Sequence, residues 1–125
     1  MKNGNRNLRV ILKKIYNRES LARVDLRNLY LSYMDFSGLD LRRANFEGCH
    51  LSYGRMDRSD LTDARFTEAI LIKASFKEAN LTGANFRSAV VAGADFSQAT
   101  GLDRQLKKTS YLKELLDFSG RHLSR

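Results

Sequence analysis

From residue 24 onward the sequence repeats with a period of five, and no other feature restricts its fold as strongly. A large apolar residue recurs at Leu26, Leu31, Phe36, Leu41, Phe46, Leu51, Met56, Leu61, Phe66, Leu71, Phe76, Leu81, Phe86, Val91 and Phe96, fifteen units without a slip in phase. Two residues before each comes a second fixed position: Val24, Leu29, Met34, Leu39, Ala44, Cys49, Gly54, Ser59, and then alanine from Ala64 through Ala94. Self-similarity at a short fixed period marks a repeat architecture, in which each unit buries its apolar residue against the units stacked on it.

The units "ANFEG", "ANLTG", "ANFRS" and "ADFSQ" resemble those of the pentapeptide-repeat family, and the resemblance covers about 75 of the 125 residues. It implies an all-β solenoid: a right-handed quadrilateral parallel β-helix with one pentapeptide per side and twenty residues per coil, hence about 3.75 coils here. The departures are the large residues at 24, 29, 34 and 39, the glycine at 54, and Met56 and Val91 at central positions. They touch the first coil and a few interior sites and leave the fold expectation intact.

Charge offers an independent check on the coil length, because residues one coil apart are neighbours and like charges there repel. At a spacing of twenty the opposite pairs are Arg27/Glu47, Asp35/Arg55, Arg43/Asp63, Asp57/Lys77 and Arg58/Glu78, against one like pair, Asp40/Asp60. At a spacing of fifteen, two opposite pairs face five like pairs. Four sides are therefore favoured over three. On this register Phe46, Phe66 and Phe86 form one interior ladder and Phe36, Phe76 and Phe96 the opposite one, with leucines between. The second inward position falls at crowded corners, where alanine fits.

Both ends of such a rod expose apolar surface and open strand edges, and both need covering. Residues 1–23 are expected to supply an N-terminal capping helix, with Leu8, Ile11, Leu12, Ile15 and Tyr16 on one stripe of residues 5–17. Residues 24–100 form the β-helix. Residues 101–125 are expected to hold a C-terminal helix and tail, with Leu106, Leu112, Leu115 and Leu116 on one side and Gly120 as a stop. That helix covers either the last coil or one side of the rod.

One short stretch breaks the pattern. In "EAILIKASF" Leu71 points inward, so Ile70 and Ile72 flank it on the outside. Val90 and Ala92 flank Val91 one coil later, while Tyr30 and His50 precede Ile70 in the same column. Ser32 and Ser52 precede Ile72, and Tyr33 and Tyr53 stand at the adjoining corner. The other three sides carry Asp, Asn, Arg, Ser and Thr. One side in four is thus apolar and aromatic outside, and such patches mark interfaces. Tyr30, Tyr33, His50, Tyr53, Ile70, Ile72, Val90 and Ala92 are the candidate partner-binding residues, for a protein partner or a second copy. The two tyrosine corners are also expected to stack on each other.

Catalytic and metal chemistry find no support. His50 and His122 have no companions at metal-ligand spacing, no serine sits with a credible histidine and acid, and no glycine-rich phosphate loop occurs. Cys49 fills an inward alanine slot as a small hydrophobe, and a single cysteine excludes an internal disulfide, which suits a cytoplasmic setting. The chain is not expected to be an enzyme or to hold a cofactor. No apolar stretch approaches the ~20 residues of a spanning helix, and no signal peptide is evident.

The net charge of +8 sits at the ends: residues 1–23 carry +6, residues 24–98 carry −1 and residues 99–125 carry +3. Three functions compete. The first is a non-catalytic interaction module using the apolar side. The second is implied by the resemblance, since some family members bind DNA gyrase and protect it by looking like DNA through a long, acidic, dimeric rod. A short, near-neutral rod with basic ends fits that mimicry poorly, although a topoisomerase remains a possible partner by another route. The third is a nucleic-acid or membrane-surface contact through the basic termini.

Overall fold

A computed structural model describes residues 7–102. Twelve parallel β-bridges join residues twenty apart, from Asp25 with Asn45 through Asn80 with Thr100. Each side pairs through one bridged residue, and then the chain turns. The N–H of the next corner residue returns to the carbonyl of the inward residue, as from Val24 to Leu21 at 3.1 Å and from Ala69 to Phe66 at 3.0 Å. The five-residue phase starts one unit before residue 24: Leu21 is fully buried and its N–H reaches the Asp40 carbonyl.

Every turn places a residue in the left-handed region, and most of these are not glycine. Tyr33, Tyr53 and Lys73 have φ of 69°, 62° and 58°. Such a conformation is unfavourable for an L-residue. Here each of them donates its N–H to the neighbouring coil, Tyr53 to Ile72 at 2.9 Å and Lys73 to Ala92 at 2.8 Å, so the ladder holds the turn in place.

The inward residues fill the tube. Phe66 stacks on Phe46 and Phe86 with ring centroids 4.7 and 4.8 Å away. On the opposite side Phe76 stacks on Phe96 at 5.0 Å, and Met56 occupies the place between Phe36 and Phe76. The two ladders meet edge to face, as Phe66 and Phe76 do at 5.6 Å. At the corners, Ala64, Ala69 and Ala79 are fully buried between coils. Val24, Leu29 and Met34 of the first coil are half-buried against the core cluster that includes Ile11 and Ile15.

Helix α1 spans Leu8–Tyr16, with the Asn7 side chain accepting the Val10 N–H at its start. Its buried face is narrower than the sequence stripe. Ile11 and Ile15, one turn apart, are buried, whereas Leu8, Leu12 and Tyr16 are exposed. Just beyond, the Arg18 guanidinium donates to the carbonyls of Ile15, Asp35 and Ser37. It thereby ties the end of α1 to carbonyls of the first coil.

Where the residue before an inward position is Asp or Asn, it has a structural task. Its side-chain oxygen accepts the N–H two residues on, as Asp35 does from Ser37, Asn45 from Glu47, Asn85 from Arg87 and Asp95 from Ser97. These are Asx turns repeated along the rod. Among the described residues the cross-coil ion pairs include Arg43–Asp63 and Arg65–Glu47, of which charge spacing implied only the first. Arg43 and Asp63 meet at 3.9 Å, but Arg27 and Arg55 turn to Asp25 and Asp57 on their own sides, at 2.9 and 3.4 Å. An aspartate already fixed by a backbone N–H receives an arginine with little further ordering.

Asp40 illustrates the consequence for pH. The Arg42 guanidinium, the Arg42 N–H and Ser20 hold its carboxyl down from 3.8 to about 2. A depressed folded value means the contribution is complete above pH 3.8 and is lost as pH falls toward 2. Urea midpoints measured between pH 5 and pH 2 should therefore fall less steeply for Asp40→Asn than for the wild type. Equal slopes would remove Asp40 from the acid response.

Candidate interaction surface

The side built on Leu31, Leu51, Leu71 and Val91 brings the sequence-designated residues together. Parallel bridges join Tyr30 to His50, His50 to Ile70 and Ile70 to Val90, which makes a single outward column. Tyr30 and His50 stack with ring centroids 4.2 Å apart and planes 8° from parallel, and Tyr33 and Tyr53 stack at 5.1 Å and 3°. Tyr30, Tyr33, Tyr53, Ile72 and Val90 are 80%, 74%, 45%, 37% and 37% exposed. Among the described coils no other side exposes a large hydrophobic residue; the remaining exposed ones, Leu8, Val10, Leu12 and Tyr16, belong to α1. Ala92 is also exposed, while His50 and Ile70 are half-buried within the column.

A further property of this side was missed in the sequence. Elsewhere an Asp, Asn or Ser usually caps the N–H two residues on, but here that slot holds Tyr30, His50, Ile70 and Val90. None of these offers a carboxylate or amide oxygen. The N–H groups of Ser32, Ser52, Ile72 and Ala92 accordingly have no acceptor among the described residues. The side thus combines apolar surface with a column of open backbone donors. The readable signal was the loss of Asp and Asn from one column in four.

The remaining candidates have structural tasks. Cys49 is buried and its thiol donates to the Leu26 carbonyl at 2.7 Å. Among the described residues no three His, Cys, Asp or Glu side chains gather as a metal site. An open cleft of about 350 Å³ lies along Ala22, Arg23, Arg42, Arg43, Thr62 and Asp63. Within it Arg42 is clasped by Asp40 at 2.7 Å, and Arg43 faces Asp63. The last turn of α1 carries Lys13 and Lys14, and Lys14 pairs with Glu19 at 3.6 Å. The expected C-terminal helix and His122 lie outside the described residues. No helix among those described is long and apolar enough to cross a membrane.

Pairing at twenty, a turn every five residues and an interior of stacked side chains define a parallel β-helix solenoid. The family model for pentapeptide repeats matches residues 20–52 and 59–98 in eight copies. The chain belongs to the pentapeptide-repeat family. It is similar to a pentapeptide repeat protein from the Arabidopsis thaliana thylakoid lumen, with 30% identity over 78% of this chain and 77% of that one and a TM-score of 0.46. A pentapeptide repeat protein from Nostoc is 24% identical over 78% of this chain and 88% of its own, with a TM-score of 0.49. QnrB1, a plasmid-mediated fluoroquinolone resistance protein, is 25% identical over 66% of this chain, which spans 50% of its length, with a TM-score of 0.44. No curated protein sequence matches the chain significantly.

Proposed function

We propose that the chain is a non-catalytic protein–protein interaction module whose apolar side docks a protein. The observation that carries this reading is the confinement of the coils' exposed large hydrophobics to one side. Scattered apolar residues need no explanation, but a contiguous set rimmed by polar sides is the pattern of an interface. Tyrosine adds large contact area with little rotamer freedom to lose, which suits Tyr30, Tyr33 and Tyr53 to the contact. The tube supplies rigidity, since each coil is bonded to the next.

In this reading residues 24–100 are the display body of about 3.75 coils. Residues 1–23 cap its first coil through α1, and residues 103–125 lie outside the described residues. We assign the cytoplasm as the compartment, consistent with the single, buried cysteine of the sequence.

The test compares the wild-type chain with an Ile70→Asp/Ile72→Asp variant as bait in extracts of its native cell, alongside light scattering at several concentrations. Two carboxylates on the surface should abolish retained protein or self-association while leaving the melting curve nearly unchanged. Retention of the same proteins and the same mass by the variant would exclude this side as the interface. A gyrase supercoiling assay on both chains detects action on a topoisomerase directly.

A further inference from the structure

We propose that the occupant of the apolar side is a second copy of this chain, packed face to face and antiparallel about a two-fold axis between the second and third coils. This rests on the docking reading above and commits it to one partner. The side is uneven along its length. Its first two rows carry Tyr30, Tyr33 and Tyr53, while its last row carries only Val90, Ala92 and Gly93. Turning the second copy end for end sets the first row of each chain on the low last row of the other, and the second row on the third. Tyr30 then covers Val90, Tyr33 covers Gly93, His50 meets Ile70, and the ring of Tyr53 meets the ammonium of Lys73, a favourable cation–π contact.

The open donors fit the same arrangement. Ser52 comes opposite Ile72 and Ser32 opposite Ala92, so each serine hydroxyl faces an N–H that has no acceptor among the described residues. A parallel pairing would instead set tall rows on tall rows and hold the low rows apart. It would also bring together two α1 helices, each carrying Arg9, Lys13 and Lys14 and no acid. Isologous contacts of the antiparallel kind close on themselves, so the assembly stops at two. The side is only about 19 Å tall at ~4.8 Å per coil and one pentapeptide wide. That is well short of the ~800 Å² per partner of a standard interface, so the dimer is weak and concentration-dependent.

Sedimentation of the full chain from about 1 μM to about 1 mM should show its mass rising from 14.3 kDa toward twice that value. Ile70→Asp should raise the dissociation constant at least about tenfold, because two-fold symmetry buries a carboxylate at two places in one interface. A Tyr30→Cys/Val90→Cys variant should be joined into a covalent dimer by a short bifunctional thiol reagent spanning ~10 Å, the face-to-face separation of packed sheets, with neither single variant doing so. Within one chain those positions lie three coils apart, about 14 Å, beyond the reach of such a reagent.

A wild-type chain that stays monomeric throughout overturns the proposal, as does cross-linking of Tyr30→Cys alone, which marks a parallel pair. Protection of both introduced thiols from alkylation in a monomer would place residues 103–125 over the side, and it overturns the proposal equally. If a monomeric chain loses a foreign protein on Ile70→Asp, the docking reading stands and the second copy falls. If neither mass nor binding responds, both fall.

Discussion

Phe66→Ala should cost about 3–5 kcal/mol, the range for emptying a large aromatic site in a packed core. Phe66 is fully buried, stacked between Phe46 and Phe86 and set edge-on to Phe76. Removing its ring leaves a void between two coils that the backbone ladder holds at fixed spacing, so the site cannot collapse. A domain of this size has about 5–15 kcal/mol in total, and the variant would lose much of that. Because solenoid stability is a sum over neighbouring units, position along the ladder should matter. Phe96 stacks on one ring, Phe76, and Phe96→Ala should cost less than Phe66→Ala. Urea unfolding followed by circular dichroism measures both. Equal losses at the two positions would contradict the ladder account.

Asp57→Ala should cost about 2–4 kcal/mol, reflecting lost hydrogen bonds to a charged acceptor and a stranded donor. Asp57 is a buried acid on an otherwise solvated surface. Its carboxylate accepts the Lys77 N–H at 3.0 Å and the Ser75 hydroxyl, and Arg55 approaches at 3.4 Å. Position 55 holds arginine where most units hold an Asx acceptor, and position 75 holds serine. Asp57 therefore supplies from the coil before the oxygen that Ser75 cannot. Asp57→Asn keeps one acceptor oxygen and should recover more than half of the loss. If the asparagine variant is as unstable as the alanine variant, charge rather than the amide bond governs the site.

Much of this was legible in one dimension. The inward set from Leu26 to Phe96 is buried throughout, and Tyr30, His50, Ile70 and Val90 share a column because residues twenty apart are bridged. The start at Leu21 also follows the phase, being five before Leu26, although the repeat was read as beginning at residue 24. Other points were not readable. Spacing alone paired Asp57 with Lys77 as charges, whereas the contact runs to the Lys77 backbone N–H, a group every residue but proline carries. Leu8, Leu12 and Tyr16 share the apolar stripe of α1 yet stay exposed, since only one turn's width faces the coil.

What the amino-acid order determined alone is the winding: a strict period of five can bury its apolar residues only by stacking, and side-chain volume at the corners sets how closely the coils approach. Tertiary structure alone decided which polar groups find partners. Whether Asp57 reaches a neighbouring coil's amide, whether Arg18 closes on the first coil's carbonyls, and whether the amides of Ser32, Ser52, Ile72 and Ala92 stay open all depend on directions and distances of a few ångströms. Hydrogen bonds are sensitive to those quantities, while apolar burial, being non-directional, registers mainly area.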